Sequence, residues 1–302
     1  MTYAFRPGRP FTNDFRAIAA EQLTQAVMTL EDRPDGLHEA IHEARKNFKR
    51  LRSLYRLVAA DAPQFQKHEN ARIRDMARNL STVRDAAALV ENAQYLRASA
   101  ASVEQEKALT HICKRLEKRR DRIAACETDI EDRVAATIVT CEHARQALAH
   151  VSFDDRRRRT AARLTKGWQQ TLKRAAHAKE ACGSSTEADA FHELRKRAQD
   201  YRMHLGLMRD TWPSAIQAKR NEAKMLVDTL GHLNDLSVMV QLINEDPALA
   251  GNSQDQAHLI AAVIARQETL RDDALTLAAT VFQEQPAEES RTIRLLWLDA
   301  AR

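Results

Sequence analysis

The stretch His42-Glu-Ala-Arg45-Lys46-Asn-Phe48-Lys49-Arg50-Leu51-Arg52-Ser-Leu54-Tyr55-Arg56 decides the fold, because it has a helical period and the chain repeats it 150 residues later. On a helical wheel of about 100° per residue, His42, Arg45, Lys46, Lys49, Arg52 and Arg56 fall within an arc of about 120°. Ile41, Ala44, Phe48, Leu51, Leu54, Tyr55 and Val58 take the other side. The pattern predicts an amphipathic helix whose polar face is cationic, with Glu43 its one acid.

The second copy begins at His192-Glu-Leu-Arg195-Lys196. His192, Arg195, Lys196 and Arg202 occupy the angular positions of His42, Arg45, Lys46 and Arg52, while Phe191, Leu194, Ala198, Tyr201, Leu205 and Met208 form the apolar side. At this fixed offset 11 of the 53 positions from His38 to Val90 are identical, among them Pro63 and Pro213, and Asp85 and Asp235. Helical sequences of this composition would share about four or five by chance. The chain therefore reads as a duplication. It predicts an all-α fold, one domain over 1–302 made of two four-helix bundles, repeats 1–150 and 151–302, related by a pseudo-two-fold. Gln199 replaces Lys49 and Gly206 replaces Arg56, so the second copy carries less charge.

Composition agrees with long helices. Only 7 Gly and 7 Pro punctuate 302 residues, and 44% are hydrophobic, enough for a core. The breakers predict eight or nine helices. The first is capped near Asn13, the second spans 37–60, and the third runs from Pro63 to about 98. Residues 102–150 are helical with one break, and the next helix starts within Ser152–Asp155. A capping box pairs Thr186 with Asp189, and later breaks fall at Trp212-Pro213, 246–252 and Pro286. The cysteines at 113, 126, 141 and 182 show no C-x-x-C spacing, which predicts a reducing compartment, the cytoplasm. No apolar run of about 18 residues or N-terminal leader is present, so neither a membrane span nor a signal peptide is expected.

Lys and Arg exceed Asp and Glu only by 47 to 42, so placement matters more than net charge. Like charges at i, i+3, i+4 and i+7 repel by a few tenths of a kcal/mol each. Ordinary solvated faces relieve that repulsion by mixing signs. A cation-rich face that occurs twice points to an external anion. His111, Lys114, Arg115, Lys118 and Arg122 form a third such face, and the run Arg156–Arg159 adds a little to it, although such a run also reads as a charged helix start or loop.

His42-Glu-Ala-Arg45-Lys46-Asn-Phe-Lys49-Arg50-Leu-Arg52 and its second copy resemble the CHAD family, the conserved histidine α-helical domain. Leu80-Ser-Thr-Val-Arg84-Asp85, Leu230-Gly-His-Leu-Asn234-Asp235 and the opening Tyr3-Ala-Phe-Arg-Pro-Gly8 fit as well. The resemblance implies two four-helix bundles and non-catalytic binding of inorganic polyphosphate on a basic surface, with association with polyphosphate granules in some members. The contacts expected from the cationic faces and the resemblance together are His42, Arg45, Lys46, Lys49, Arg50, Arg52, Arg56, Lys114, Lys118, Arg122, His192, Arg195, Lys196 and Arg202. No cofactor, metal or enzymatic activity is expected. The triphosphate tunnel domain that often precedes this one finds no room before about residue 12, so a stand-alone form is expected. The sequence departs from the family pattern at Gln199, at Asn234 and over about 99–150.

Three other readings compete. A metal pair at His38 and His42 has helical i, i+4 spacing, but Ala188 replaces His38 in the repeat. A phosphohydrolase needs several carboxylates for Mg²⁺, and the repeated Asp85 and Asp235 read better as partners of the basic helix. Nucleic acid is the hardest alternative to separate, since phosphate contacts suffice for non-specific affinity. The 5% aromatic content argues against a base-stacking platform, and Trp168, Trp212 and Trp297 read as packing residues.

Overall fold

A helix-forming chain with few breakers gives long helices and short connections. The structure, a computed structural model, describes residues 3–80, 82–184 and 187–302, with the side chains of 82–85 outside the description. Its helices are α1 (Phe11–Asp32), α2 (Leu37–Leu57), α3 (Pro63–Asn79), α4 (Thr82–Ala98), α5 (Val103–Cys126) and α6 (Ile130–Ala147) in the first half. The second half contains α7 (Arg157–Ser184), α8 (Ala188–Leu207), α9 (Pro213–Glu245), α10 (Ser253–Val281) and α11 (Pro286–Ala300). Among the described residues there is no strand.

Among the described residues eleven α-helices replace the eight or nine expected, chiefly because the stretch from Pro63 to Ala98 splits after α3. Its counterpart in the second half stays continuous as the 33-residue α9. Asn13 lies inside α1 and Pro10 takes the cap position, while Asp14 is held by Arg6 at 2.6 Å. Thr186 of the expected capping box lies outside the described residues, and Glu187 precedes α8. The helix placed at 152–155 begins at Arg157. Asp155 instead accepts hydrogen bonds from the Thr12 backbone N–H at 2.7 Å and its hydroxyl at 2.9 Å, fastening the inter-repeat linker to the start of α1.

The 150-residue offset carries α1 onto α7, α2 onto α8, α3 and α4 onto α9, α5 onto α10 and α6 onto α11. Packing follows the same map. The contacts α1–α2, α2–α3 and α1–α6 recur as α7–α8, α8–α9 and α7–α11. Across the halves, α2 packs on α8, α4 on α9 and α5 on α10. Because α2 packs on α8, the two cationic helices meet where the halves join.

Apolar contacts lock that junction. Phe11, Phe15, Tyr55, Phe65 and Phe153 form an aromatic cluster, and the guanidinium of Arg163 on α7 lies 5.0 Å from the Phe11 ring and 4.7 Å from that of Phe153. Arg163 is nearly buried and pairs with Asp61 at 2.8 Å. Gly167 lets α7 run against the end of α2, where a Cβ would sit 2.0 Å from the Leu57 carbonyl oxygen. Trp168 and Trp297 are buried as expected, but Trp212 is half exposed at the start of α9.

Candidate functional site

The apolar stripes of α2 and α8 face the core, which leaves their cationic sides turned outward at the crossing. Two cavities flank it. One, about 560 Å³, is lined by Tyr3, His42, Lys46, Lys49, Arg50, Arg195, Arg202 and Arg220, among others. The other, about 380 Å³, is lined by Lys49, Arg52, Arg56, His192, Arg195, Lys196 and Arg197, with Gln199, Asp200 and Met203. Lys49, Arg195, Gln199 and Met203 line both, so the two cavities adjoin, side by side in a basic trough along the crossing. Ten Lys and Arg line it against four Asp and Glu, an excess of six where the whole chain has five. The net charge of the protein is thus concentrated here.

The cations are less unrelieved than the sequence suggests. Lys46 pairs with Glu43, and Lys196 and Arg197 both pair with Glu193. The Glu43 carboxyl is held below its usual range, first by the hydrogen bond from Lys46. For Glu193, burial pushes the other way, but Lys196 and Arg197 together outweigh it. Arg195 lies 3.8 Å from Asp235, the pairing expected for that aspartate, while the side chain of Asp85 lies outside the described residues. Arg56 reaches across to Asp200 on α8 at 2.6 Å, so this cation ties the halves together. Arg45 donates to the Ala77 carbonyl at 2.9 Å and lines neither cavity. Arg52 donates to Asn70 at 3.0 Å, and Arg50 to Asn47 at 3.2 Å.

Arg220 on α9 was not legible in the repeat. It stands at the position of Asn70 and lies over Gly206, where an added Cβ would come 3.7 Å from its Nε. Gly206 itself occupies the position of Arg56. The second half therefore loses a cation from α8 and regains one from α9, through the space the missing side chain leaves. Burial, followed by the nearby Arg202, Arg209 and Arg50, lowers the pKa of Arg220, and its Nε is buried with no partner among the described residues. Guanidinium stays charged under these conditions, so the crowding leaves a site for an anion. Burial and then Arg56 lower Arg52 in the same way.

Two more elements complete the surroundings. The Tyr3 hydroxyl donates to the Arg50 carbonyl at 2.9 Å and the Phe5 N–H to the Leu207 carbonyl at 2.8 Å, pinning the opening segment over one end of the trough. His192 Nδ1 lies 2.6 Å from the Asn234 side-chain oxygen, which gives that departure from the family pattern a role. His192 also lines a third cavity, about 680 Å³, rich in neutral side chains such as Asn234, Ser237, Gln241, Asn244 and Gln267.

Lys114, Lys118 and Arg122 are not brought into the trough. They project from α5, which packs on α4 and α10, and the cleft there shares no lining residue with the trough. Arg156 and Arg159 lie beside Asp154 at the start of α7, as read from the sequence. Among the described residues, Glu39, His42 and Glu43 place potential metal-ligand atoms within 4.8 Å of one another, without His38, and Lys46 already holds Glu43. No helix of the described residues is long and apolar enough to cross a membrane.

The sequence profile of the CHAD domain matches residues 17–244. The chain belongs to the CHAD domain family. A comparison with curated protein sequences returns no match. The crystal structure of the CHAD domain from the plant Ricinus communis superposes with a TM-score of 0.66 at 20% identity, covering 93% of this chain and 94% of that one. At that identity the likeness speaks for the CHAD fold. The match to residues 17–244 takes in α2, α8 and most of α9, which build the trough of this CHAD domain.

Proposed function

We propose that this CHAD domain binds inorganic polyphosphate along the α2–α8 trough, without catalysing its turnover, and that this underlies association with polyphosphate granules. The observation that carries the reading is the pair of adjoining basic cavities that share Lys49 and Arg195. A linear ligand with a regular charge spacing can reach both, as a compact anion cannot. Arg offers forked donors to phosphate oxygens and Lys a mobile point charge, and the lining holds both kinds. Binding would release condensed counterions, as with single-stranded nucleic acids.

Two features favour polyphosphate over nucleic acid or hydrolysis. The aromatic side chains of the lining are fixed elsewhere: Tyr3 is anchored to Arg50, and the His232 ring stacks on Tyr95 with centroids 4.5 Å apart. Base stacking would need free faces. The lining carboxylates Glu43, Asp200 and Asp235 each hold a cation already, leaving them poorly placed to gather Mg²⁺.

The test is binding of purified protein to long-chain polyphosphate across a salt series, with RNA of matched charge as competitor. Affinity should fall with a log–log slope of about −0.7 per phosphate engaged, and RNA should fail to displace the ligand. Equal displacement by RNA would reduce the site to a general polyanion binder.

A further inference from the structure

The second half of α5 carries Arg115, Lys118, Arg119 and Arg122 at i, i+3, i+4 and i+7, on one side of the helix. They line a cleft of about 470 Å³ closed by the turn after α9, with Asp246, Ala248 and Leu249 opposite. Four cations thus face a single acid.

Three observations set this cleft apart from ordinary charged surface. First, among the described residues none of the four cations has a carboxylate within ion-pairing distance, whereas Lys46, Arg56, Arg195, Lys196 and Arg197 of the trough are all paired. Second, the duplication does not account for it. The positions 150 residues on, along α10, hold Ala265, Glu268, Thr269 and Asp272. The shared fold therefore does not require a basic face there. Third, the cleft is built. Arg115 donates to the Ala248 carbonyl at 3.2 Å, and Gly251, at φ +92°, lies beneath its guanidinium. A Cβ at Gly251 would come 2.7 Å from the Arg115 Cζ, so the turn is shaped to seat that side chain.

We propose that the α5 cleft is a second, separate anion site that takes a short segment of phosphate chain. Arg115 forms its fixed floor, and Lys118, Arg119 and Arg122 supply the mobile donors. Because the cleft and the trough share no lining residue, each holds its own segment. On a long polymer the two sites act in tandem, or join two chains, with the avidity that linked sites confer. The identity of the ligand rests on the function proposed above; the existence of a second site does not.

Titration calorimetry with sodium tripolyphosphate at low, fixed salt separates the two ideas. Three proteins are compared: the full chain, a cleft variant (Lys118→Gln, Arg119→Gln, Arg122→Gln) and a trough variant (Lys49→Gln, Arg202→Gln), each checked for unchanged helicity. The full chain should bind two equivalents, and each variant one. A stoichiometry of one that only the trough variant abolishes would overturn the second site and leave the trough standing. A stoichiometry of one that only the cleft variant abolishes would do the reverse. No binding by the full chain would overturn both.

Discussion

The Arg56–Asp200 pair gives the sharpest test of how the trough is built. Arg56 belongs to the cationic face of α2, yet its guanidinium lies 2.6 Å from Asp200, whose side chain is only 7% exposed while that of Arg56 is 24% exposed. Breaking a fully buried pair costs about 3–5 kcal/mol. Arg56 keeps partial access to water, so about 2–3 kcal/mol is the reasonable scale for Arg56→Gln. At an unfolding entropy of about 2.1 cal/mol/K per residue, that loss lowers the Tm of a chain this size by roughly 3–5 °C. Asp200→Asn should also lower stability, since the same interface pair is lost. Affinity separates the two substitutions. Removing Arg56 subtracts a positive charge from the trough and removing Asp200 subtracts a negative one, so they should weaken and strengthen polyphosphate binding respectively, each by up to about fivefold. Thermal denaturation followed by circular dichroism and the salt-controlled binding assay measure both effects. A double-mutant cycle on stability should show a coupling energy. Unchanged Tm in the single variants, or additive losses, would refute the assignment of this pair to the junction. Affinity shifts of the same sign would refute its place at the trough.

Three other outcomes follow from particular contacts. Gly167→Ala should cost more than the 1–3 kcal/mol of ordinary overpacking, because the new methyl meets backbone rather than a movable side chain; a urea midpoint equal to that of the parent would show that α7 and α2 can separate freely. Lys49→Gln should weaken polyphosphate binding by about 1.5–3 kcal/mol and Arg220→Gln by a similar amount, seen in the same binding assay, and an Arg220 variant with unchanged affinity would remove α9 from the site. His204 is fully buried, with Nε2 2.9 Å from the Ser53 carbonyl and Nδ1 3.2 Å from the Thr171 hydroxyl, and burial lowers its pKa from 6.5. The unfolded chain therefore binds more protons here between the depressed value and 6.5, so this contribution to stability is present above pH 6.5 and is lost as pH falls below it. Denaturant midpoints at pH 7.5 and 5.5 should differ less for His204→Gln than for the parent, and an equal difference would assign the acid limb to other groups.

The helices and the repeated basic motif were legible because both rest on local spacing. An amphipathic helix announces itself every three or four residues, and Pro63, Pro213 and Pro286 start helices where proline is tolerated. Residues such as Lys49 and Arg195 could be chosen on the same ground. The local signal stops at the helix surface. It grouped Lys114, Lys118 and Arg122 with the face of α2, although packing on α4 and α10 gives α5 a cleft of its own. It gave Arg45 and Arg56 the same role as Lys49, although one meets the Ala77 carbonyl and the other Asp200, 144 residues away in sequence. The deficit counted at Gly206 was likewise filled by Arg220, from α9 rather than from the repeated helix.

The sequence by itself determined that this chain is helical, that one basic helix motif occurs in it twice, and that each copy presents a cationic face. Only the tertiary structure decided that the two faces meet in one trough, which of their cations are held by carboxylates, and that α5 stands apart. The reason is physical: the period of a helix is set by hydrogen bonds four residues apart, whereas the neighbour of a surface charge is set by how distant apolar stripes bury one another.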